Sequence, residues 1–140
     1  LVEREATIGG NMAVLDKNFP TLDCSQCILT PLMVEVSRHP GIEVLTYSEV
    51  EEVNGFVGNF KVKVRKRARY VDADKCTGCG DCSRHCPASA INEINQGMND
   101  RRATYIEYAQ AVPLAYAIDT DACIGWEETE AIILAAHRQF

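Results

Sequence analysis

The chain has 140 residues, 46% of them hydrophobic, enough for one ordinary domain or two small ones with a core, so disorder is not its default. A formal charge of −6 and a pI near 5.0 exclude a general phosphate-tracking surface, and nucleic acid is not an expected partner. No apolar run approaches the roughly 18 residues needed to cross a bilayer, and the first residues lack a basic, apolar, small-residue signal, so no membrane span is expected and the chain reads as cytoplasmic.

Leu1-Val2-Glu3 reads as the end of a strand whose beginning is absent, with a loop following at Ile8-Gly9-Gly10, so the chain looks like a fragment. Glu3, six residues before Gly9-Gly10, has the look of the acidic residue that ends the second strand of a Rossmann unit, where a carboxylate accepts the two hydroxyls of an adenosine ribose. An ordinary strand end fits the same residues, because the Gly-rich turn that cradles a pyrophosphate is not among them.

Cys24-Ser25-Gln26-Cys27 is a Cys-x2-Cys pair that fits a redox-active dithiol, half of a metal site or two buried thiols. Two thiolates are too few for a cubane, so the metal reading needs ligands from elsewhere. Thr30-Pro31 resembles an N-cap with Pro at the first helical position, and a helix of about two turns is predicted up to His39-Pro40.

The β-branched and aromatic segment Ile42 to Tyr47 predicts a strand. Glu49 to Val53 and Phe60 to Val64 then alternate around Asn54-Gly55 and Gly58-Asn59, which predicts a hairpin. Residues 61 to 70 are basic and free of acids, yet the alternation Lys61, Val62, Lys63, Val64, Arg65 is that of a half-exposed strand, and no function is assigned to it.

Four of the seven cysteines fall within eleven residues, in Cys76-Thr77-Gly78-Cys79-Gly80-Asp81-Cys82-Ser83-Arg84-His85-Cys86-Pro87. The odd total rules out a fully paired disulfide framework, and thiolates so crowded favour a soft metal. The two-residue gaps let one tight loop present three sulfurs to three irons of a [4Fe–4S] cubane. Gly78 and Gly80 let the backbone turn closely enough to aim N–H groups at the sulfides. Pro87 is expected to stop the loop and start the next helix.

In two-cluster ferredoxins the fourth Cys of such a run serves the other cluster, so Cys76, Cys79 and Cys82 are expected to share one cubane and Cys86 to serve a second. Zinc is the structural alternative, although the third Cys three residues on and the Cys-Pro ending are not typical of zinc ribbons. His85 reads as a loop residue, since its neighbours already supply thiolates.

An internal repeat at an offset of 47 residues organises this half of the chain. Tyr70-Val71-Asp72-Ala73-Asp74-Lys75-Cys76-Thr77-Gly78 returns as Ala117-Ile118-Asp119-Thr120-Asp121-Ala122-Cys123-Ile124-Gly125, and two copies of a short strand plus ligand loop are implied. The second copy then breaks. Trp126 and Thr129 stand where cysteines would recur, and Ile133 stands at the fourth position. On this reading the first cubane keeps three ligands of four, and the second keeps Cys86 and Cys123. Residues 126 to 140 are predicted to form an amphipathic helix with an acidic start and a cation-bearing end, carrying no ligand.

Leu1-Val2-Glu3-Arg4-Glu5 with Gly9-Gly10-Asn11-Met12, then Phe19-Pro20-Thr21-Leu22-Asp23-Cys24-Ser25-Gln26-Cys27, the run Cys76 to Pro87, and Gln110-Ala111-Val112-Pro113 through Gly125 resemble, in that order, the iron–sulfur flavoprotein of heterodisulfide reductase, its A-subunit. The resemblance implies an α+β chain. Residues 1–69 would be part of a thioredoxin-reductase-like, Rossmann-type FAD domain, 70–125 an inserted two-cluster ferredoxin-like domain with an incomplete second half, and 126–140 a tail foreign to the family.

It further implies a flavin that splits electron pairs, sending one electron to heterodisulfide-reducing subunits and one to a low-potential acceptor such as ferredoxin, with a hydrogenase or formate dehydrogenase-type donor upstream. Glu3, with Arg4, would hold the FAD adenosine ribose. Gly9 and Gly10 would let backbone approach the cofactor, and Cys24 and Cys27 would be cluster ligands completed from elsewhere. Cys76, Cys79, Cys82, Cys86 and Cys123 would belong to the inserted ferredoxin. No residue is expected to be a proton-transfer catalyst, and this segment alone is not expected to turn over substrate. A self-contained ferredoxin-like carrier and a zinc-stabilised structural module are the competing readings.

Overall fold

The structure is a computed structural model and describes residues 1–125; the predicted terminal helix and the break of the repeat at Trp126 lie outside the described residues. Its backbone contacts divide the chain into two units, Leu1–Arg69 together with Gln110–Pro113, and Tyr70–Ala109 together with the chain from Leu114 onward.

In the first unit Val2 pairs in parallel with Leu45 through a single bridge, closed by Glu3 N–H to the Leu45 carbonyl at 2.9 Å and Leu45 N–H to the Leu1 carbonyl at 2.8 Å. The predicted strand over 42–47 is reduced to that bridge. Tyr47 adopts φ 56°, a left-handed conformation that ends extended pairing. A 3-10 turn, Gly10–Val14, follows Gly9, and strands β1 (Lys17–Asn18) and β2 (Asp23–Cys24) pair antiparallel.

Helix α1 runs from Ser25 to Arg38, starting five residues before the predicted Thr30. Cys24 caps it, its sulfur accepting the Cys27 N–H at 3.3 Å, so the first turn is satisfied well ahead of Pro31. Pro31 consequently lies inside the helix, where it removes one main-chain hydrogen bond without ending it. Ser25 and Met33 are its buried residues.

The hairpin forms from β3 (Ser48–Phe56) and β4 (Asn59–Lys66), both longer than the alternation predicts. Asn54-Gly55 lies within β3 opposite Lys61 and Phe60, and the turn falls at Val57-Gly58 instead. A Cβ at Gly55 would come within 2.2 Å of the Asn59 carbonyl oxygen, which fixes glycine there. The basic run on and just after β4 meets the acids of β3: Lys63 reaches Glu51 at 2.9 Å, Arg65 reaches Glu49 at 3.3 Å, and Arg67, beyond the strand, also pairs with Glu49. These charges answer one another across the ribbon, as befits a stretch to which no function is assigned.

Gln110–Pro113 joins this unit through Thr7. Its hydroxyl donates to the Val112 carbonyl at 3.0 Å and accepts the Val112 N–H at 2.6 Å, while Ile8 N–H donates to the same carbonyl at 3.0 Å.

The second unit holds the cysteine-rich run. Helix α2 (Asp81–His85) stands inside it and ends before Pro87. The proline does not start a helix: the next element is β5 (Ser89–Ile91), which pairs antiparallel with β6 (Asp100–Arg102). The Ala103 N–H donates to the Ala88 carbonyl at 3.1 Å, which extends the pairing and commits the chain after Pro87 to extended backbone. Strands β7 (Thr104–Tyr105) and β8 (Ala117–Ile118) form a second short pair. Thus the second repeat carries its strand, which β7 pairs, and the first does not; Tyr70, where the first strand would run, adopts φ 60°.

Candidate metal centre

The repeat seen in the sequence returns in the structure as two shared hydrogen bonds. In the first copy the Asp72 carboxylate accepts the Asp74 N–H at 3.0 Å and the Asp72 carbonyl accepts the Cys76 N–H at 2.9 Å. In the second, the Asp119 carboxylate accepts the Asp121 N–H at 3.1 Å and its carbonyl accepts the Cys123 N–H at 3.0 Å. Each aspartate thus closes a tight turn that delivers its cysteine at a fixed angle.

After Cys76 the loop passes Gly78 at φ 71° and Gly80 at φ 86°, left-handed positions that let three cysteines follow one another around a close curve. Cys76 and Cys82 are half-buried and Cys79 is exposed. Burial pushes the Cys82 thiol up to about 11; the Ser83 N–H pulls it down, and negative charge on Cys76 and Cys79 adds to the rise. Cys82 therefore senses the other two sulfurs. Among the described residues no three Cys, His, Asp or Glu side chains are grouped as ligands of a single ion.

Cys86 is the buried one of the four cysteines of the run. It is buried with Ala88 and Ala103, and Ala122, the neighbour of Cys123, packs against that cluster. Cys86 therefore lies beside the second copy of the turn. Its thiol donates to the Ala88 carbonyl at 3.7 Å, as Cys123 does to the Gly125 carbonyl at 3.7 Å.

Three residues that the sequence does not single out support this arrangement. Arg101 donates to Asp119 at 2.8 Å and lies over the Tyr105 ring at 4.0 Å, holding the second turn. Burial alone would raise the Asp119 pKa; the Arg101 hydrogen bond and charge, with the N–H groups of Ala122 and Asp121, leave it below its ordinary value. Leu114 and Tyr116 lie against the ligand loop, and only the close approach of backbone at Gly78 and Gly80 could have signalled them. Burial raises the Tyr116 phenol, as do Cys82, Cys79 and Cys76, with Arg84 opposing.

In the first unit Cys24 is half-buried and Cys27 exposed at the start of α1. Hydrogen bonds from the Cys27 thiol and N–H lower the Cys24 pKa, while donating to Cys24 raises that of Cys27. Glu3 accepts the Glu5 N–H at 3.1 Å, and Arg4 pairs with Glu5 at 3.2 Å in the open. A Cβ at Gly10 would meet nothing within 4 Å, so its backbone face is open to approach. The predicted site residues therefore fall into two sets. Glu3, Arg4, Gly9, Gly10, Cys24 and Cys27 lie in the first unit, and the other five cysteines in the second.

Comparison with known proteins bears on the cysteine-rich run and on the chain as a whole. The 4Fe-4S binding domain matches residues 69–92, which contain Cys76, Cys79, Cys82 and Cys86. The chain is 64% identical over 126 residues to a heterodisulfide reductase A-subunit-like protein of Archaeoglobus profundus, covering 89% of this chain and 18% of that protein. It is 54% identical over 124 residues to the iron-sulfur A-subunit of the CoB--CoM heterodisulfide reductase of Methanocaldococcus jannaschii, covering 89% and 19%. With the A-subunit of the H(2)/formate:CoB-CoM heterodisulfide,ferredoxin reductase of Methanococcus maripaludis it shares 49% identity over 119 residues, covering 85% and 18%. The chain spans about a fifth of the length of these relatives.

Proposed function

We propose that this chain, which belongs to the heterodisulfide reductase A-subunit family as a segment of that length, carries electrons through iron–sulfur centres within a flavin-dependent oxidoreductase. The observation that carries the reading is the loop Cys76 to Cys82, which two left-handed glycines curve inside the 4Fe-4S binding region. Thiolates are the donors that iron–sulfur chemistry selects, and the influence of Cys76 and Cys79 on Cys82 suits a shared polynuclear centre. A bound [4Fe–4S] cluster supplies one-electron transfer at a potential that the surrounding protein sets.

In this reading Cys76, Cys79 and Cys82 hold one cluster. Cys86 and Cys123 contribute to a second, which their common neighbour Ala122 supports. Arg101, through Asp119, keeps the Cys123 turn in place. Cys24 and Cys27 contribute to a further centre, and the capping bond between them favours the thiolate of Cys24. Glu3, Arg4, Gly9 and Gly10 contact the adenosine end of FAD, for which the open backbone face at Gly10 leaves room. FAD supplies the exchange between two-electron and one-electron steps on which electron bifurcation depends.

The partners are the other heterodisulfide reductase subunits, ferredoxin, and a hydrogenase or formate dehydrogenase-type donor; the relatives' names, which cite H2, formate and ferredoxin, support this set. Among the described residues no helix is long and apolar enough to cross a membrane.

The test uses the full chain purified without oxygen. Dithionite reduction is expected to give the electron paramagnetic resonance of a reduced [4Fe–4S] cluster. Cys79→Ser should remove one such signal, while Ser83→Ala, a neighbouring change outside the ligand set, leaves it. A signal indifferent to Cys79→Ser contradicts the assignment.

A further inference from the structure

We propose that Tyr116 sets the reduction potential of the centre held by the Cys76 to Cys82 loop, its hydroxyl donating a hydrogen bond to a cysteine sulfur of that loop. The inference rests on the iron–sulfur reading above and assigns a positioning and tuning role to a residue outside the cysteine motif.

The geometry comes from two glycines and two residues that roof them. A Cβ at Gly78 would lie 3.0 Å from Leu114 Cγ and 3.3 Å from its Cδ2. A Cβ at Gly80 would lie 3.1 Å from Tyr116 Oη and 4.0 Å from its Cζ. Residues two apart on one segment thus cover residues two apart on the loop, as extended backbone allows. Each two-residue gap between cysteines has its own cover, the first apolar and the second ending in a hydroxyl.

The approach at Gly80 is made by the oxygen and not by the face of the ring. Tyr116 is held there by its neighbours. Ala115 and Ala117 are buried to 2% and 0% exposure, and Ala117-Ile118 is paired in β8. The ring springs from a fixed stretch of backbone. Among the described residues its hydroxyl makes no hydrogen bond of its own, and Cys82, Cys79, Cys76 and Arg84 are near enough to act on the phenol.

A hydrogen bond to a cluster thiolate withdraws electron density from it and so favours the reduced, more negative state. Tyr116 supplies such a donor from a ring that covers the Cys79 to Cys82 gap, while Leu114 covers the Cys76 to Cys79 gap without a donor. The loop is therefore tuned from the segment that leads into the second copy of the repeat.

The test uses the full chain, purified anaerobically, with iron and acid-labile sulfide measured before a potentiometric titration followed by electron paramagnetic resonance. Tyr116→Phe keeps the ring, and should retain wild-type iron and sulfide while one cluster shifts to a more negative potential. Global incorporation of fluorotyrosine, a stronger donor, should move the same cluster the other way in the wild type and leave it unmoved in the Tyr116→Phe background. With iron and sulfide intact, an unchanged potential in Tyr116→Phe, or no response to fluorotyrosine, overturns the role of Tyr116 and leaves the iron–sulfur reading standing. Wild-type protein without iron and sulfide overturns both.

Discussion

Gly80 is constrained twice, by a φ of 86° and by the Tyr116 hydroxyl that a Cβ would meet at 3.1 Å. Gly80→Ala should therefore cost about 1 to 2 kcal/mol in the thermal unfolding of the loaded protein, with reduced iron content measured alongside. The Arg101 and Asp119 pair is held between side chains only 14% and 20% exposed. Replacing the guanidinium by Arg101→Met should cost about 2 kcal/mol in denaturant unfolding, since a charged hydrogen bond is lost. The pair also carries a pH signature. Asp119 is held below its ordinary value of 3.8 in the folded chain, so its contribution is present above that value and lost as pH falls through the lower folded one. Arg101→Met should flatten that acid limb, and an acid limb as steep as the wild type's would contradict the pairing. At this scale the sequence is legible in its cysteines and glycines, because spacing and backbone freedom are written in residue type. Leu114, Tyr116 and Arg101 are not legible, because an apolar residue, a tyrosine and an arginine have many uses, and only the folded approach selects one.

Helix α1 shows how a local pattern misleads. Thr30-Pro31 has the chemistry of a helix start, yet Cys24 begins the helix by accepting the Cys27 N–H. A thiol is not a usual cap, so residue type gives no warning. Cys24→Ser keeps an acceptor at the cap and should leave helix stability unchanged in circular dichroism melts. Cys24→Ala should cost about 1 kcal/mol. Equal melts for the two variants would show that the sulfur caps nothing. The hairpin is more readable, because alternation and turn residues are short-range signals, although the choice between Asn54-Gly55 and Val57-Gly58 as its turn depends on register. The repeated turns are the most readable of all. Asp72 and Asp119 make the same two bonds 47 residues apart, whereas the strand before each turn depends on a partner and forms only beside β7.

As a whole the described chain buries few large side chains. Its core consists mostly of alanines with Ile8, Met33, Cys86 and Ile118, while Phe19 and Val57 are 93% and 90% exposed. Two small units with so little apolar interior depend on other sources of stability, and a bound cluster is one, since ligation is folding free energy. Loading with iron and sulfide should stabilise the second unit, seen as slower hydrogen exchange at the amides of Cys86, Ala103 and Ile118. The cysteine run and the change of composition near residue 70 are written in the sequence; the return of Gln110–Pro113 to the first unit rests on Thr7 and is not foreseeable from spacing. The central claim is that the Cys76 to Cys82 loop holds an iron–sulfur cluster, and metal and acid-labile sulfide analysis of the anaerobically purified full chain tests it most directly. Iron and sulfide in near-equal amounts, both reduced by Cys79→Ser, are the predicted result; zinc without sulfide would contradict it.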